Sequence, residues 1–225
     1  MTIKGIIFDF NGTLFNDTEL HNIAWIEYSA KLRNGKAFDT YELEHYMYGR
    51  SNAEIIEYAI GRKPTQEEVD KYAWEKEECY RQLVLKNPEN IKLVNGAEEL
   101  LDYLKEKNIP MTIATGSEIN NVKFFIEIFN LKKWFDTSKI VYDDGVRLGK
   151  PHPDIYLEAL KVMDLKAEET LVFEDSYSGI TAANEAKIGE IIAINENPET
   201  FKHKDKVYKV IKDFTEFDRN LLNIN

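Results

Sequence analysis

Short apolar runs that end in small or polar residues constrain this chain more than any other feature. They lie at residues 3–8 (IKGIIF), 111–114 (MTIA), 140–142 (IVY), 170–173 (TLVF) and 191–194 (IIAI). Near-continuous apolar runs of this length suit strands buried on both faces of a parallel sheet. Helical patterns separate them at 97–107, 119–129, 154–163 and 178–186. Strand–helix alternation of this kind predicts βαβ units and an α/β fold, a doubly wound parallel sheet with helices on both sides.

Residues from about 17 to 90 break the alternation and read as helices only. The stretch 19–32 is amphipathic. Thr65-Gln66-Glu67-Glu68 has the form of a capping box that opens a long helix running to about residue 85. Pro88 prevents helix continuation in the return linker 86–90. The expected organisation is therefore a Rossmann-like core domain made from 1–16 and 88–225, with an all-helical domain, 17–87, inserted after the first strand.

Length and charge narrow the function classes. At 225 residues the chain suits one domain carrying a modest insertion. The net charge of −11 argues against nucleic acid and against anionic membranes as partners. The acidity is spread along helices, as solubility alone would place it. A protein this acidic that handles phosphates must bring local positive charge. The single cysteine, Cys79, excludes an internal disulfide and a cysteine zinc site, and is expected to be a buried spectator thiol. MTIKGIIFDF lacks a secretory pattern and no apolar run reaches membrane-spanning length, so a cytoplasmic protein is expected.

The informative polar residues fall where the predicted strands end, which is where open α/β sheets bind ligands. Asp9, Asn11 and Thr13 follow the first strand, and Thr115, Gly116 and Ser117 the second. Glu174 and Asp175 follow the fourth. Lys150 lies in the loop Gly149-Lys150-Pro151-His152-Pro153 ahead of a helix. Each has a plain alternative: Asn-Gly as a turn, Thr115 as a helix N-cap, Glu174-Asp175-Ser176 as a cap, Lys150 as a solvated lysine. Three carboxylates, a lysine and a hydroxyl converging on one sheet edge suit a divalent cation and a phosphate.

FDFNGTLF at 8–15 resembles the first motif of the haloacid dehalogenase superfamily, and ATGS at 114–117 its second. GKPHPDIY at 149–156 resembles the third and FEDSYSGI at 173–180 the fourth, in the family's order and spacing. The helical insert is similar to the cap of the branch holding β-phosphoglucomutases and small-metabolite phosphatases, and Gly49-Arg50-Ser51 resembles its substrate loop. The resemblance implies that Asp9 is a nucleophile that becomes an aspartyl phosphate. It implies Mg²⁺ held by the Asp9 carboxylate, the Asn11 backbone carbonyl and Asp175, with Glu174 bound directly or through water. Thr115, Gly116, Ser117 and Lys150 would hold the phosphoryl oxygens. In the cap, His21 would be a proton carrier, and Arg50 and Lys76 substrate contacts. Each has an alternative as a surface residue; Lys76 lies in an alternating-charge run that suits a solvated helix face. Trp25 and Tyr28 read as cap core.

Asn11 departs from the pattern, because the family's phosphatases and mutases carry Asp there as acid and base. An amide has no proton to trade at neutral pH. Loss of general acid/base catalysis typically costs roughly 10²–10⁴-fold. Four explanations stay open: a substrate with a good leaving group, a proton carrier elsewhere such as His21, a substitution introduced to trap a complex, or a phosphate-ligand sensor without turnover. Asn-Gly is also prone to deamidation, so traces of Asp or isoAsp at 11 are expected. Dehalogenation is disfavoured by Glu174, Asp175 and Lys150, and no motif marks Lys31 or Lys36 as a Schiff-base lysine. The expected function is a Mg²⁺-dependent phosphatase for a small phosphorylated metabolite, with a sugar phosphate mutase as the alternative, acting as a monomer or weak dimer.

Overall fold

The structure, a computed structural model, describes residues 2–47 and 50–222. The chain divides into two compact units. One is built from residues up to Asn16 together with those from Lys92 onward; the other is Asp17–Ile91.

Among the described residues the first unit carries one parallel sheet of six strands. They are β1 (Gly5–Phe8), β2 (Met111–Glu118), β3 (Val141–Asp143), β4 (Thr170–Glu174), β5 (Glu190–Ile194) and β6 (Lys209–Ile211), in the order β3-β2-β1-β4-β5-β6. The intervening helices are α5 (Ala97–Glu106), α6 (Ile119–Ile128), α7 (Asp154–Met163) and α8 (Tyr177–Glu185). This is the expected doubly wound α/β fold. β1 and β4 are buried along their whole length. Successive side chains serve opposite faces. Ile7 joins Val172, Tyr156 and Ile180 in one cluster. Phe8 instead stacks on Phe173 at 5.3 Å between ring centres, with Phe214 6.0 Å away.

Two strands differ from the sequence reading. β6 was not foreseen; it has three residues, begins with an exposed lysine and gains its identity only from pairing with β5. β2 runs on through Thr115, Gly116 and Ser117 to Glu118, with an irregular register against β3. The N-cap of α6 is therefore Glu118, whose carboxylate accepts from the Asn120 and Asn121 N–H groups, and not Thr115.

The second unit contains α1 (Thr18–Leu32), α2 (Thr40–Tyr46), α3 (Asn52–Ile60) and α4 (Gln66–Lys86). Thr65 and Glu68 form the expected capping box. Asp39 with Glu42 and Ser51 with Glu54 repeat it at α2 and α3, starts that the sequence reading did not resolve. Each box satisfies N–H groups the helix cannot pair internally. Trp25 and Tyr28 lie in this unit's core with Phe38, Ile55 and Ile56. Pro88 opens a single 3-10 turn, Pro88–Asn90. Two expectations are corrected. Lys76 is buried at 2% exposure, not on a solvated face. Cys79 is only partly buried, its Sγ 3.4 Å from the Glu27 carboxylate. Gly49 lies outside the described residues.

Candidate active site

Strand register alone brings the polar residues of the first unit together. Phe8 pairs with Phe173 on one side and Ile113 on the other. The residues that follow, Asp9 and Glu174, therefore leave the sheet side by side, and the Asp9 N–H donates to the Phe173 carbonyl at 3.0 Å. The strand order reverses between β1 and β4, which is the switch point where doubly wound sheets open a crevice.

Lys150 reaches this point from the loop before α7. Its Nζ donates to Asp9 Oδ1 at 2.6 Å and to Glu174 Oε1 at 2.5 Å. Glu174 is fully buried, and both its oxygens are engaged. Oε1 also accepts from the Tyr156 hydroxyl at 3.0 Å, while Oε2 accepts from the Asp175 and Ser176 N–H groups and the Ser176 hydroxyl. Asp175 accepts from the Thr13 hydroxyl at 3.0 Å. Asn11 Oδ1 accepts from the Ser117 hydroxyl at 2.7 Å and the Thr115 hydroxyl at 3.3 Å. Thr115 is buried, and Gly116 between these two is exposed.

Two glycines make the room. Gly12 has a left-handed φ of +78°, and a Cβ there would fall 2.2 Å from an Asp175 carboxylate oxygen. Gly179, in the first turn of α8, lies under Glu174. A larger residue at either position would displace a carboxylate.

The charge balance is uneven. Asp9, Glu174 and Asp175 each offer an oxygen within 4.8 Å of the others, against one lysine. Burial pushes Asp9 up to about 7, with Lys150 opposing and Glu174 adding to the rise. Burial likewise raises Asp175 well above the carboxylate range, reinforced by Glu174 and Asp9. Glu174 moves the other way: burial would raise it, but Lys150 and the donors around it hold it low. Two carboxylates short of positive charge in an all-oxygen site fit a hard divalent cation such as Mg²⁺.

The second unit holds a cluster of its own. The Tyr80 hydroxyl donates to Asp17, and the His21 ring stacks on Tyr80 at 3.9 Å with Nε2 3.5 Å from the Asp17 carboxylate. Lys76 Nζ donates to His21 Nδ1 at 2.8 Å and to Glu77 at 2.9 Å, and lies over the Trp25 ring. His21 is thus a partnered histidine rather than a bare surface one. Arg50 is exposed, just before the Ser51 cap of α3.

Sequence reasoning gave Tyr156, Gly12 and Gly179 no role of their own in the site, and Ser176 only that of a helix cap, which it fills: its hydroxyl accepts from the Gly179 N–H at 3.0 Å. Tyr156 was within reach, because it lies six positions after Lys150, in the first turn of the helix that follows.

Residues 3–187 match the model of the haloacid dehalogenase-like hydrolases, and the chain belongs to that family. A phosphorylated carbohydrates phosphatase of Thermotoga maritima is 30% identical over 85% of each chain. The crystal structure of a family IA, variant 3 hydrolase from Entamoeba histolytica superposes with a TM-score of 0.89 at 36% identity over 99% of each chain. An Asp-to-Asn variant of CbbY from Rhodobacter sphaeroides, in complex with xylulose-(1,5)bisphosphate, gives a TM-score of 0.80 at 26% identity over 96% of each. No described helix is long and apolar enough to cross a membrane.

Proposed function

We propose that the protein is a Mg²⁺-dependent phosphatase that moves the phosphoryl group of a small phosphorylated metabolite through Asp9 to water. One observation carries the reading: Asp9 stands at the switch point of the sheet, ion-paired to Lys150 at 2.6 Å, within a carboxylate group that lacks positive charge. Phosphoryl transfer asks a protein for positioning and charge neutralisation, and these residues supply both.

Asp9 is the nucleophile. Lys150, the Thr115 and Ser117 hydroxyls and the Gly116 N–H hold phosphoryl oxygens. Asp9, the Asn11 backbone carbonyl and Asp175 hold the cation. Glu174 acts from outside this set, since both its oxygens are already engaged. Bound Mg²⁺ would supply charge for the phosphoryl oxygens. Asp17–Ile91 is the helical cap, where exposed Arg50 is the candidate contact for a charged part of the substrate, while both ring nitrogens of His21 are engaged, Nδ1 by Lys76 and Nε2 by Asp17. Lys76, buried beside Glu77, fixes the His21 ring and is a positioning residue of the cap. The working compartment is the cytoplasm and the working state a monomer or weak dimer.

The test is phosphate release from a panel of aryl, acyl and sugar phosphates. Release should require Mg²⁺, stop on adding EDTA and vanish in Asp9→Asn. Turnover that persists in Asp9→Asn would rule this reading out. A sugar phosphate mutase would instead require a bisphosphate activator and release little phosphate.

A further inference from the structure

Resting on the assignment of Asp9 as nucleophile, a second question is which phosphate esters the site can open. When Asp9 attacks phosphorus, the P–O bond to the leaving group breaks and its electron pair goes to the leaving oxygen. An alkoxide must collect a proton as it forms; a carboxylate, phenolate or enolate need not.

The first unit's proton inventory is short once the carboxylates assigned to attack and to the cation are set aside. Asn11 is an amide, and its Oδ1 is occupied as the acceptor of the Ser117 hydroxyl at 2.7 Å and of the Thr115 hydroxyl at 3.3 Å. Those two hydroxyls direct their protons at an oxygen that cannot take one up near neutrality. Lys150 Nζ is directed at two carboxylates, Asp9 and Glu174. Tyr156 donates to Glu174. No member of this set exchanges a proton at neutral pH while facing a leaving oxygen.

We infer that this site transfers phosphoryl groups from acyl, aryl and enol phosphates in preference to alkyl phosphates, and that the phosphoryl group then dwells on Asp9. In the first step an Asp9 oxygen bonds to phosphorus and the leaving group departs as an anion. In the second, water bonds to phosphorus, the Asp9 O–P bond breaks, and the proton lost from water goes to solvent. The second step is slow because no residue of the set removes that proton. Asn11 is thus a specificity-determining residue.

The experiment uses the full chain with Mg²⁺. Acetyl phosphate and 4-nitrophenyl phosphate are the donors, with a hexose 6-phosphate as the alkyl comparison. Intact-mass spectrometry after a rapid acid quench should find one phosphoryl group on the chain, and 4-nitrophenolate should appear as a burst of about one equivalent before a slower steady rate. Asn11→Asp should remove the burst and raise alkyl-phosphate turnover by roughly 10²–10⁴-fold. Fast hexose phosphate turnover by the unaltered protein, with no phosphorylated chain, would overturn the inference and make His21→Ala the next variant. An unaltered protein that accepts no donor while Asn11→Asp accepts all of them would overturn it too, leaving the phosphatase reading in place. If neither protein accepts any donor, the assignment of Asp9 itself fails.

Discussion

A Cβ placed on Gly179 would lie 1.5 Å from Glu174 Oε1, closer than any side chain can approach. The first turn of α8 is therefore a floor on which a buried carboxylate rests, and that carboxylate holds Lys150 against Asp9. Gly179→Ala must push Glu174 aside. Overpacking of this kind costs about 1–3 kcal/mol. A drop of that size in urea-unfolding free energy is expected, with a loss of phosphate release greater than the stability change explains. Unaltered activity in Gly179→Ala would show that Glu174 does not position Lys150.

Lys150→Met should be more severe. It leaves Asp9 and Glu174 buried without their counter-charge, and breaking a buried pair costs about 3–5 kcal/mol. The sign with pH follows from linkage: carboxylates left unpaired in the folded state bind protons more readily there, so the deficit should shrink as pH falls. Urea unfolding of both proteins at pH 7 and pH 5 checks this, and a deficit independent of pH would count against it.

Glu42 predicts an acid limb in the helical unit. The Arg33 guanidinium beside it, opposed by burial and helped by the Asp39 N–H and the Tyr58 hydroxyl, holds its carboxyl down to about 2. Stability from this group is complete above its unfolded value near 4.5 and drains away as pH falls through about 2. Glu42→Gln should lower stability at pH 7 by roughly 1.5–3 kcal/mol, the worth of hydrogen bonds to a charged group. It should also flatten the decline within that window, as urea titrations across it would record.

Mg²⁺ should stabilise the fold. A cation bound by the native state alone adds about 2.7 kcal/mol at one hundred times its dissociation constant. A thermal melt should therefore shift upward with Mg²⁺ and return with EDTA, while Asp175→Asn shows no shift. An equal shift in Asp175→Asn would place the cation elsewhere.

The sheet and its polar strand ends were legible because both are local. Apolar runs such as 170–173 mark buried strands, and the residues that follow them mark the edge where ligands bind. What depended on distant neighbours was not legible. Lys76 sits in a run of alternating charge that suits a wet helix face, yet Trp25, His21 and Glu77 enclose it. β6 is a strand only because β5 lies beside it. Tyr156 carries no polar signal beyond its hydroxyl, and its role comes from α7 aiming that hydroxyl at Glu174. Glu118 takes the N-cap from Thr115 because β2 continues past the apolar run, a decision made by its pairing with β3.

The interrupted core also sets a schedule for synthesis. β1 lies between β2 and β4, and beside it Lys4 meets Glu169 across 165 positions of sequence. A ribosome therefore releases the central strand first and its second neighbour long afterwards. The contiguous stretch Asp17–Ile91, made during that wait, carries its own apolar core and capped helices. Until β2 is made β1 has no partner strand, and until β4 is made one of its edges stays open, an apolar edge of the kind that aggregates. The brevity of β1, four residues bounded by Lys4 and Asp9, limits that hazard in the nascent chain.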